Sequence, residues 1–347
     1  MLRTAPPGDH DGQVTFSRLE ESRPKRLGER IYFAEGDNAP LPSSSLPLRE
    51  VAGILHRWPD LRVRVLGHSD VSEPGGADPA LSIARAQAVV SALVQAGIAQ
   101  DRLDAAGLGS RFPTEAPEGV PAPDLDRRAT LVVLPAPVPI QTRLTFAPGK
   151  ATPDAAGLQA LETLARALDD HPEIRIRLHS RAAPNESPDP HALALQRASG
   201  VVARLDRLGF PAGRMEPLAV VGGTIPGDLG FEIASVDLKR TIPFEAGASE
   251  LPASADRAVE DVARTEMALQ GWRVEVLGHA GPDDGDEVQA LAHARARAVA
   301  DALVRRGVRE THIDVRGVVA SEGADPQQAR SVLVSIAAPT TDRAQAP

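Results

Sequence analysis

The chain has 347 residues, which is longer than one typical domain and indicates two or three. Hydrophobic residues make up 42% of it but aromatic residues only 3%, so the cores must consist of Leu, Val, Ile and Ala. The absence of cysteine excludes disulfides and thiolate metal sites, and a net charge of -9 argues against nucleic acid or an anionic membrane surface as the main partner.

Residues 1–29 are predicted to form a polar leader. Charges and prolines stand where a signal peptide would have its apolar run. No stretch approaches the roughly 18 apolar residues that a membrane-spanning helix needs. We therefore expect either that the chain is not exported by the signal-peptide route or that it is a fragment of a longer protein.

The first elements of the chain are a short strand and a helix. IYF at 31–33 is predicted to be the strand. The helix follows because apolar residues recur three to four positions apart, and it ends before Pro59, since proline disfavours helix in the residue before it. The residues of this apolar stripe are Leu48, Val51, Ile54 and Leu55.

A second strand and helix follow. RVRVLGH at 62–68 alternates charged and apolar residues, which predicts a strand with one buried face. Asp78 and Pro79 are typical of an N-cap and a first helical position. The helix is expected to stop at Gly97 and to bury a face made of Leu81, Ala84, Ala88, Val89, Ala92 and Leu93.

Strands near 103–107 and at 129–135 complete a unit of order β-α-β-α-β-β. This order predicts an α/β fold of the α+β sandwich type, in which a mixed sheet carries its helices on one face.

The same pattern occurs three times. RVRVLGHSD, IRIRLHSR and RVEVLGHAG each precede a helix, and Arg85, Arg197 and Arg295 recur in step within those helices. The predicted units span 30–135, 139–236 and 237–338, followed by a tail at 339–347. A Pro-rich linker separates the first two units, whereas the second and third are joined almost directly and are expected to pack rigidly.

The motifs GHSD, LSIARA, GLGSRFP and DRRATLVV in the first unit resemble the OmpA C-terminal family, which includes peptidoglycan-associated lipoproteins. The resemblance extends more weakly to the other two units. It implies non-catalytic binding of the peptidoglycan stem peptide, commonly at diaminopimelate, whose ammonium an aspartate holds and whose carboxylate an arginine holds. These positions are Asp70 and Arg85 here. An arginine fork suits a carboxylate, although a simple salt bridge between Asp70 and Arg85 is the alternative.

Two positions depart from the family pattern. Asp78 stands where the family has an asparagine before the helix, and Asp126 replaces the asparagine of its NRR motif. An asparagine donates and accepts hydrogen bonds, whereas an ionised aspartate only accepts them. The resemblance places Asp78 and Arg128 beside Asp70 and Arg85 in the ligand site. Arg127 and Arg128 either line the groove that holds the ligand or cap the last loop.

The second and third units are predicted to have lost the site. The sequence alignment places Arg181 and Gly281 at the aspartate position, so neither unit is expected to bind the wall. The recurring histidines His68, His179 and His279 are interpreted as packed residues, and the acidic run at 282–287 as a solvated turn. No catalytic motif, cofactor site or metal site is predicted.

Two functions remain open at this stage. The first is a peptidoglycan-binding module at the cell envelope, with the stem peptide as partner of the first unit. The second is a structural scaffold with protein partners in a larger assembly, for example a phage-tail-like contractile injection system put together in the cytoplasm.

Overall fold

The computed structural model describes residues 24, 27–77, 79–114, 122–221, 228–269, 271–285, 287–321 and 324–338. These residues form three four-stranded mixed sheets with their helices, which confirms the predicted fold class. Within the described ranges, no helix is both long enough and apolar enough to cross a membrane.

The first unit follows the predicted order. Its elements are β1 (Arg30–Tyr32), α1 (Ser45–Arg57), β2 (Arg62–Gly67), α2 (Pro79–Gln95), β3 (Leu103–Gly107), the short α3 (Ala122–Asp126) and β4 (Arg128–Leu134). The strand order in the sheet is β1-β4-β2-β3, with β2 and β3 parallel and the other pairs antiparallel.

The second unit has the same arrangement. Its elements are β5 (Arg143–Thr145), α4 (Ala155–Asp169), β6 (Ile174–Ala182), α5 (Pro190–Arg207), β7 (Met215–Val221) and β8 (Asp228–Val236), in the sheet order β5-β8-β6-β7. The predicted Asp-Pro helix start is confirmed here, because Asp189 Oδ1 accepts a hydrogen bond from Ala192 N at 2.9 Å and Pro190 is the first helical residue. Asp78, its counterpart in the first unit, lies outside the described residues.

The third unit repeats the arrangement again. Its elements are β9 (Lys239–Pro243), α6 (Asp256–Ala268), β10 (Arg273–Ala280), α7 (Val288–Arg305), β11 (Ile313–Val319), the short α8 (Pro326–Ala329) and β12 (Ser331–Ala337). The sheet order is β9-β12-β10-β11, which equals that of the other two units.

The core of the first unit lies between one face of its sheet and the helices α1 and α2. Val63 and Val65 of β2 are fully buried there with Leu55, Val89 and Leu93. Burial of such side chains stabilises the fold by about 1.5–3 kcal/mol each.

The buried face of α2 differs from the prediction by a rotation of about one residue. Leu81, Ala84, Ala88 and Ala92 are only half-buried, whereas Ser82, Arg85, Ala86, Val89 and Leu93 form the centre. The apolar pattern could not show this, because the largest fully buried side chain of the helix is an arginine.

A close approach between α2 and β2 explains the glycine before His68. A Cβ atom at Gly67 would lie 1.9 Å from the backbone oxygen of Ser82. Gly278 has the same role in the third unit, where its Cβ would lie 2.2 Å from Ala292 O. The sheet register places Ser180 at this position in the second unit.

The outer sheet face of the first unit packs on the third. Leu66, Leu108 and Phe112 form an apolar cluster with Val304 of α7. Arg111 extends this contact with an ion pair to Asp301 at 2.7 Å. This contact joins units that are far apart in the chain.

The second and third units share one continuous hydrophobic core, as their short connection predicts. Val138, in the Pro-rich linker, is part of this core, and its N–H donates to Ala268 O at 3.1 Å. Thr265 Oγ1 donates to the Glu173 carboxylate at 2.5 Å across the same junction. The linker is therefore packed against the third unit.

Candidate functional site

Asp70 and Arg85 lie at one end of the first sheet, where the sequence places them. Asp70 follows β2 and is 7% exposed, while Arg85 on α2 is fully buried. Their side chains do not pair with each other. Asp70 Oδ1 instead accepts hydrogen bonds from the N–H and the hydroxyl of Ser72.

Arg85 uses all five of its N–H donors within the chain. Nε donates to Asp37 O at 2.9 Å, Nη1 to His68 O at 3.1 Å, and Nη2 to Ala34 O at 3.0 Å. The remaining N–H of Nη1 and of Nη2 each donate to one oxygen of Glu73 at 2.6 Å. The guanidinium thus ties the loop after β1, the end of β2 and the loop before α2 to one another.

Glu73 is the residue that the sequence analysis missed. Its side chain is fully buried against Arg85, and it also accepts hydrogen bonds from Gly36 N at 2.9 Å and Asp70 N at 2.7 Å. Burial alone would raise the pKa of this carboxyl, but the hydrogen bonds from Arg85 and the two backbone amides outweigh it and lower the pKa. Glu73 is therefore held as a carboxylate, bound by two donor atoms on each oxygen.

Asp70 and Arg85 contact this carboxylate from two sides. The Asp70 backbone donates to Glu73 Oε1, the same oxygen that Arg85 Nη1 binds. Asp70 and Arg85 do not form the direct salt bridge that was the alternative prediction. The guanidinium of Arg85 forms its ion pair with Glu73 instead. We refer to Arg85, Glu73 and their backbone partners as the arginine cluster of the first unit.

Arg128 is held apart from this cluster. Its guanidinium is largely buried and donates to Asp126 Oδ1 at 3.1 Å and to Phe112 O at 3.1 Å. Burial lowers its pKa from the ordinary value for an arginine. Arg127 pairs with Asp124. Both arginines thus fasten the last loop, which is one of the two interpretations that the sequence left open.

The second unit contains the same cluster. Arg197 donates through Nε to Lys150 O at 2.8 Å and through Nη1 to Arg181 O at 2.9 Å. It also forms a two-pronged ion pair with Glu186. Glu186 accepts a further hydrogen bond from Ala183 N at 3.0 Å, as Glu73 does from Asp70 N.

The third unit contains it as well. Both Nη atoms of Arg295 donate to Asp284 at 3.0 Å, and Nη1 also donates to His279 O at 2.9 Å. Asp284 accepts from Gly281 N and Gly247 N at 3.0 Å each, and its side chain is fully buried. Burial would raise the pKa of Asp284, but these hydrogen bonds lower it to about 2. The interpretation of the acidic run at 282–287 as a solvated turn is therefore wrong at Asp284.

These shared contacts change the alignment of the units. The residue whose N–H binds the internal carboxylate is Asp70 in the first unit, Ala183 in the second and Gly281 in the third. The sequence alignment placed Arg181 there, two residues too early. Arg181 instead supplies the backbone oxygen that His68 and His279 supply in the other units. Of the three aligned positions, only that of the first unit carries an acidic side chain.

The comparisons with known proteins agree with this architecture in two of the three units. The model of the OmpA family matches residues 32–119 and 243–334, which together make up slightly more than half of the chain. The chain belongs to the OmpA family. The family match covers the first and third units and leaves out the second. No curated protein matches the chain significantly.

Several solved structures are similar to parts of this OmpA-family chain. One is the peptidoglycan-associated lipoprotein from Burkholderia pseudomallei, at 26% identity over 31% of this chain and 90% of that one, with a TM-score of 0.28. A second is the cell wall anchor of the T6SS from Pseudomonas aeruginosa, at 26% identity over 30% and 78%, with a TM-score of 0.25. A third is the periplasmic domain of Helicobacter pylori MotB, at 18% identity over 30% and 69%, with a TM-score of 0.27.

Proposed function

We propose that this protein is a non-catalytic anchor at the cell envelope and that its first unit binds peptidoglycan at a diaminopimelate-type stem peptide. In this proposal the chain consists of three OmpA-like units at 30–135, 139–236 and 237–338, with a leader at 1–29 and a tail at 339–347. The second and third units serve as a rigid body that carries the first.

The observation that carries the proposal is that Asp70 and Arg85 lie on two sides of one carboxylate position. The ligand that the family resemblance implies is zwitterionic, so it needs a guanidinium for its carboxylate and an anion for its ammonium group. Arg85 already binds a carboxylate in bidentate fashion. Asp70 lies next to that carboxylate, and its Oδ2 has no hydrogen-bond partner among the described residues. The second and third units have alanine and glycine at this position.

Asp78 and Arg128 have secondary roles in the proposal. Asp78 precedes α2 in the sequence and would contribute a further acceptor near the ligand's ammonium group. Arg128 is fastened to Asp126 and the backbone of Phe112. It would shape the end of the groove without holding the ligand.

A structural scaffold with protein partners is the second candidate function, and one specific observation favours it. Every N–H of Arg85 is already hydrogen-bonded within the chain, as are those of Arg295 in the third unit. A protein that needs its arginines only to hold loops together would have this arrangement.

Co-sedimentation of the purified full chain with peptidoglycan sacculi tests the proposal. We expect the parent to sediment with sacculi and Asp70→Ala to remain in the supernatant. Asp101→Ala is the matched control, because it removes an exposed acidic charge from the same unit and should sediment like the parent. A parent that stays in solution would favour the scaffold, whereas an Asp70→Ala variant that sediments like the parent would remove Asp70 from the binding site.

A further inference from the structure

The arginine cluster of the first unit is a carboxylate-binding site that is already occupied. Glu73 receives two hydrogen bonds from Arg85 and one each from the backbone N–H groups of Gly36 and Asp70. All of these donors converge on a position that is closed to solvent. A carboxylate from outside the chain would find the same donors if Glu73 left.

The segment that carries Glu73 is held in place mainly by that side chain. Among residues 71–77, Glu73 is the only one with a buried side chain, and Val71 is 69% exposed. The other hydrogen bonds of the segment are local and run from Ser69 Oγ to Gly76 O at 2.7 Å, from Gly76 N to Glu73 O at 2.8 Å, and between Asp70 and Ser72. None of residues 71–77 belongs to the hydrophobic core of the unit. Withdrawal of Glu73 would therefore uncover Arg85 without opening the hydrophobic core.

We propose that Glu73 is an internal competitor for the ligand carboxylate, and that the first unit binds the stem peptide by exchanging Glu73 for it at Arg85. This inference rests on the proposed function. The exchange replaces one carboxylate by another at the guanidinium. The net favourable binding free energy must therefore come from the contact between the ligand's ammonium group and Asp70. Because part of the binding free energy displaces Glu73, the apparent affinity is lower than that of the open site.

The second and third units also have an internal carboxylate on their arginine, but they lack the acidic residue that would bind the ligand's ammonium group. Glu186 and Asp284 occupy their arginines in the same way, and Ala183 and Gly281 stand where Asp70 would be. An exchange there would replace one carboxylate by another with no ammonium contact. These two units consequently stay closed, which makes them controls within the same molecule.

Glu73→Ala in the full chain tests the inference, with Glu186→Ala as the matched control. The probes are acetate and meso-diaminopimelate, and the readouts are the Tm and calorimetric binding. We expect the Tm of both variants to rise with the acetate concentration and the Tm of the parent to be independent of it. We also expect Glu73→Ala to bind diaminopimelate at least about tenfold more tightly than Glu186→Ala does, because tenfold corresponds to about 1.4 kcal/mol, the scale of one charge-assisted hydrogen bond.

The outcomes separate the inference from the proposed function. A folded Glu73→Ala variant whose Tm depends on neither probe overturns the inference. Acetate dependence together with no sedimentation of any variant on sacculi keeps the internal competitor and removes wall binding. If Glu73→Ala does not fold, Glu73→Gln decides, since it keeps one acceptor oxygen and loses the charge. A folded Gln variant with no gain in diaminopimelate binding then contradicts the inference.

Discussion

The first and second units hold a buried arginine through the same contacts, yet they differ beside it. Arg85 and Arg197 each bind an internal glutamate and the backbone of two loops. Next to that glutamate the first unit has Asp70 and the second has Ala183. The arginine therefore serves the fold in both, and any role in binding depends on its neighbour. Persistence of an arginine through the repeats is not by itself a sign of a binding site.

The largest effect that tests this comparison is expected from the arginines. Arg85→Ala, Arg197→Ala and Arg295→Ala should each lower the free energy of unfolding by about 3–5 kcal/mol, because each removes the bidentate guanidinium partner of a buried carboxylate. Denaturant unfolding of the full chain measures this. Arg175→Ala is the control, since that exposed side chain should contribute less than about 1 kcal/mol.

Similar losses in all three variants would support a structural role that the units share. A loss of stability in Arg85→Ala much smaller than in Arg197→Ala would contradict this shared structural role. Arg85 would then serve mainly to bind a ligand.

The next largest effect concerns the contact between the first and third units. Phe112 is 7% exposed, packs with Val304, and lies 5.1 Å from the guanidinium of Arg305. Phe112→Ala should lower the free energy of unfolding by at most about 3–5 kcal/mol, the loss expected when a phenylalanine in a protein core is replaced by alanine. Calorimetry should show the first unit unfolding in a separate, earlier transition. Leu218→Ala, at a side chain that is 43% exposed, should leave the unfolding profile unchanged. One unaltered transition in Phe112→Ala would mean that the units are not coupled there.

The sequence predicted more of the fold than of the site. Alternation in β2 and the apolar spacing of α1 locate these elements within a few residues, because their cores are apolar and periodic. Glu73 was missed because an acidic residue in a Gly-Pro loop is usually solvated. A signal was present, however: an acidic residue precedes each recurring arginine by 12, 11 and 11 positions.

Neither the correct alignment of the second unit nor the packing between units could be predicted from the sequence, and both have a physical reason. The strand β6 continues through Arg181, so His179 falls two residues before the position of His68. A shift by two keeps every side chain on the same face of the strand, so the alternating pattern cannot reveal it. Contacts between Phe112 and Val304 depend on tertiary packing, which no local pattern encodes.

A smaller, pH-dependent effect is expected at His68 in the first unit. Burial, with lesser contributions from Arg128 and Arg30, lowers its pKa from 6.5 to about 3. The folded protein therefore binds fewer protons than the unfolded chain between these values. Its stability is fully present above pH 6.5 and falls by up to about 1.4 kcal/mol per pH unit as the pH decreases. Denaturant unfolding between pH 7 and 5 should show this slope, and His68→Gln should flatten it.

The pH range separates His68 from carboxylates whose pKa is lowered, such as Glu173. The pKa of Glu173 is lowered from 4.5 to about 2, because hydrogen bonds from His171 and Thr265 outweigh the effect of burial. The stability that it contributes is present above pH 4.5 and is lost as the pH falls through about 2. An unchanged slope above pH 5 in His68→Gln would therefore contradict the assignment to His68.

The smallest effect on stability is expected at Asp70. Asp70→Asn keeps an oxygen that can accept the hydrogen bonds from Ser72, so the free energy of unfolding should change by no more than about 1 kcal/mol, the net contribution of one hydrogen bond. Denaturant unfolding checks this. A loss above about 2 kcal/mol would make Asp70 a structural residue like Arg85 and would remove the difference between the units.

Sacculus co-sedimentation of Glu73→Ala, Glu186→Ala and Asp284→Ala in the full chain tests the central claim most directly. Each variant uncovers one arginine, but the aligned position beside it is acidic only in the first unit, where Asp70 corresponds to Ala183 and Gly281. We predict that Glu73→Ala alone sediments more strongly than the parent and that adding Asp70→Asn abolishes the increase. Equal sedimentation of all three variants, or an increase that survives Asp70→Asn, would contradict the claim that the first unit is the one that binds the wall.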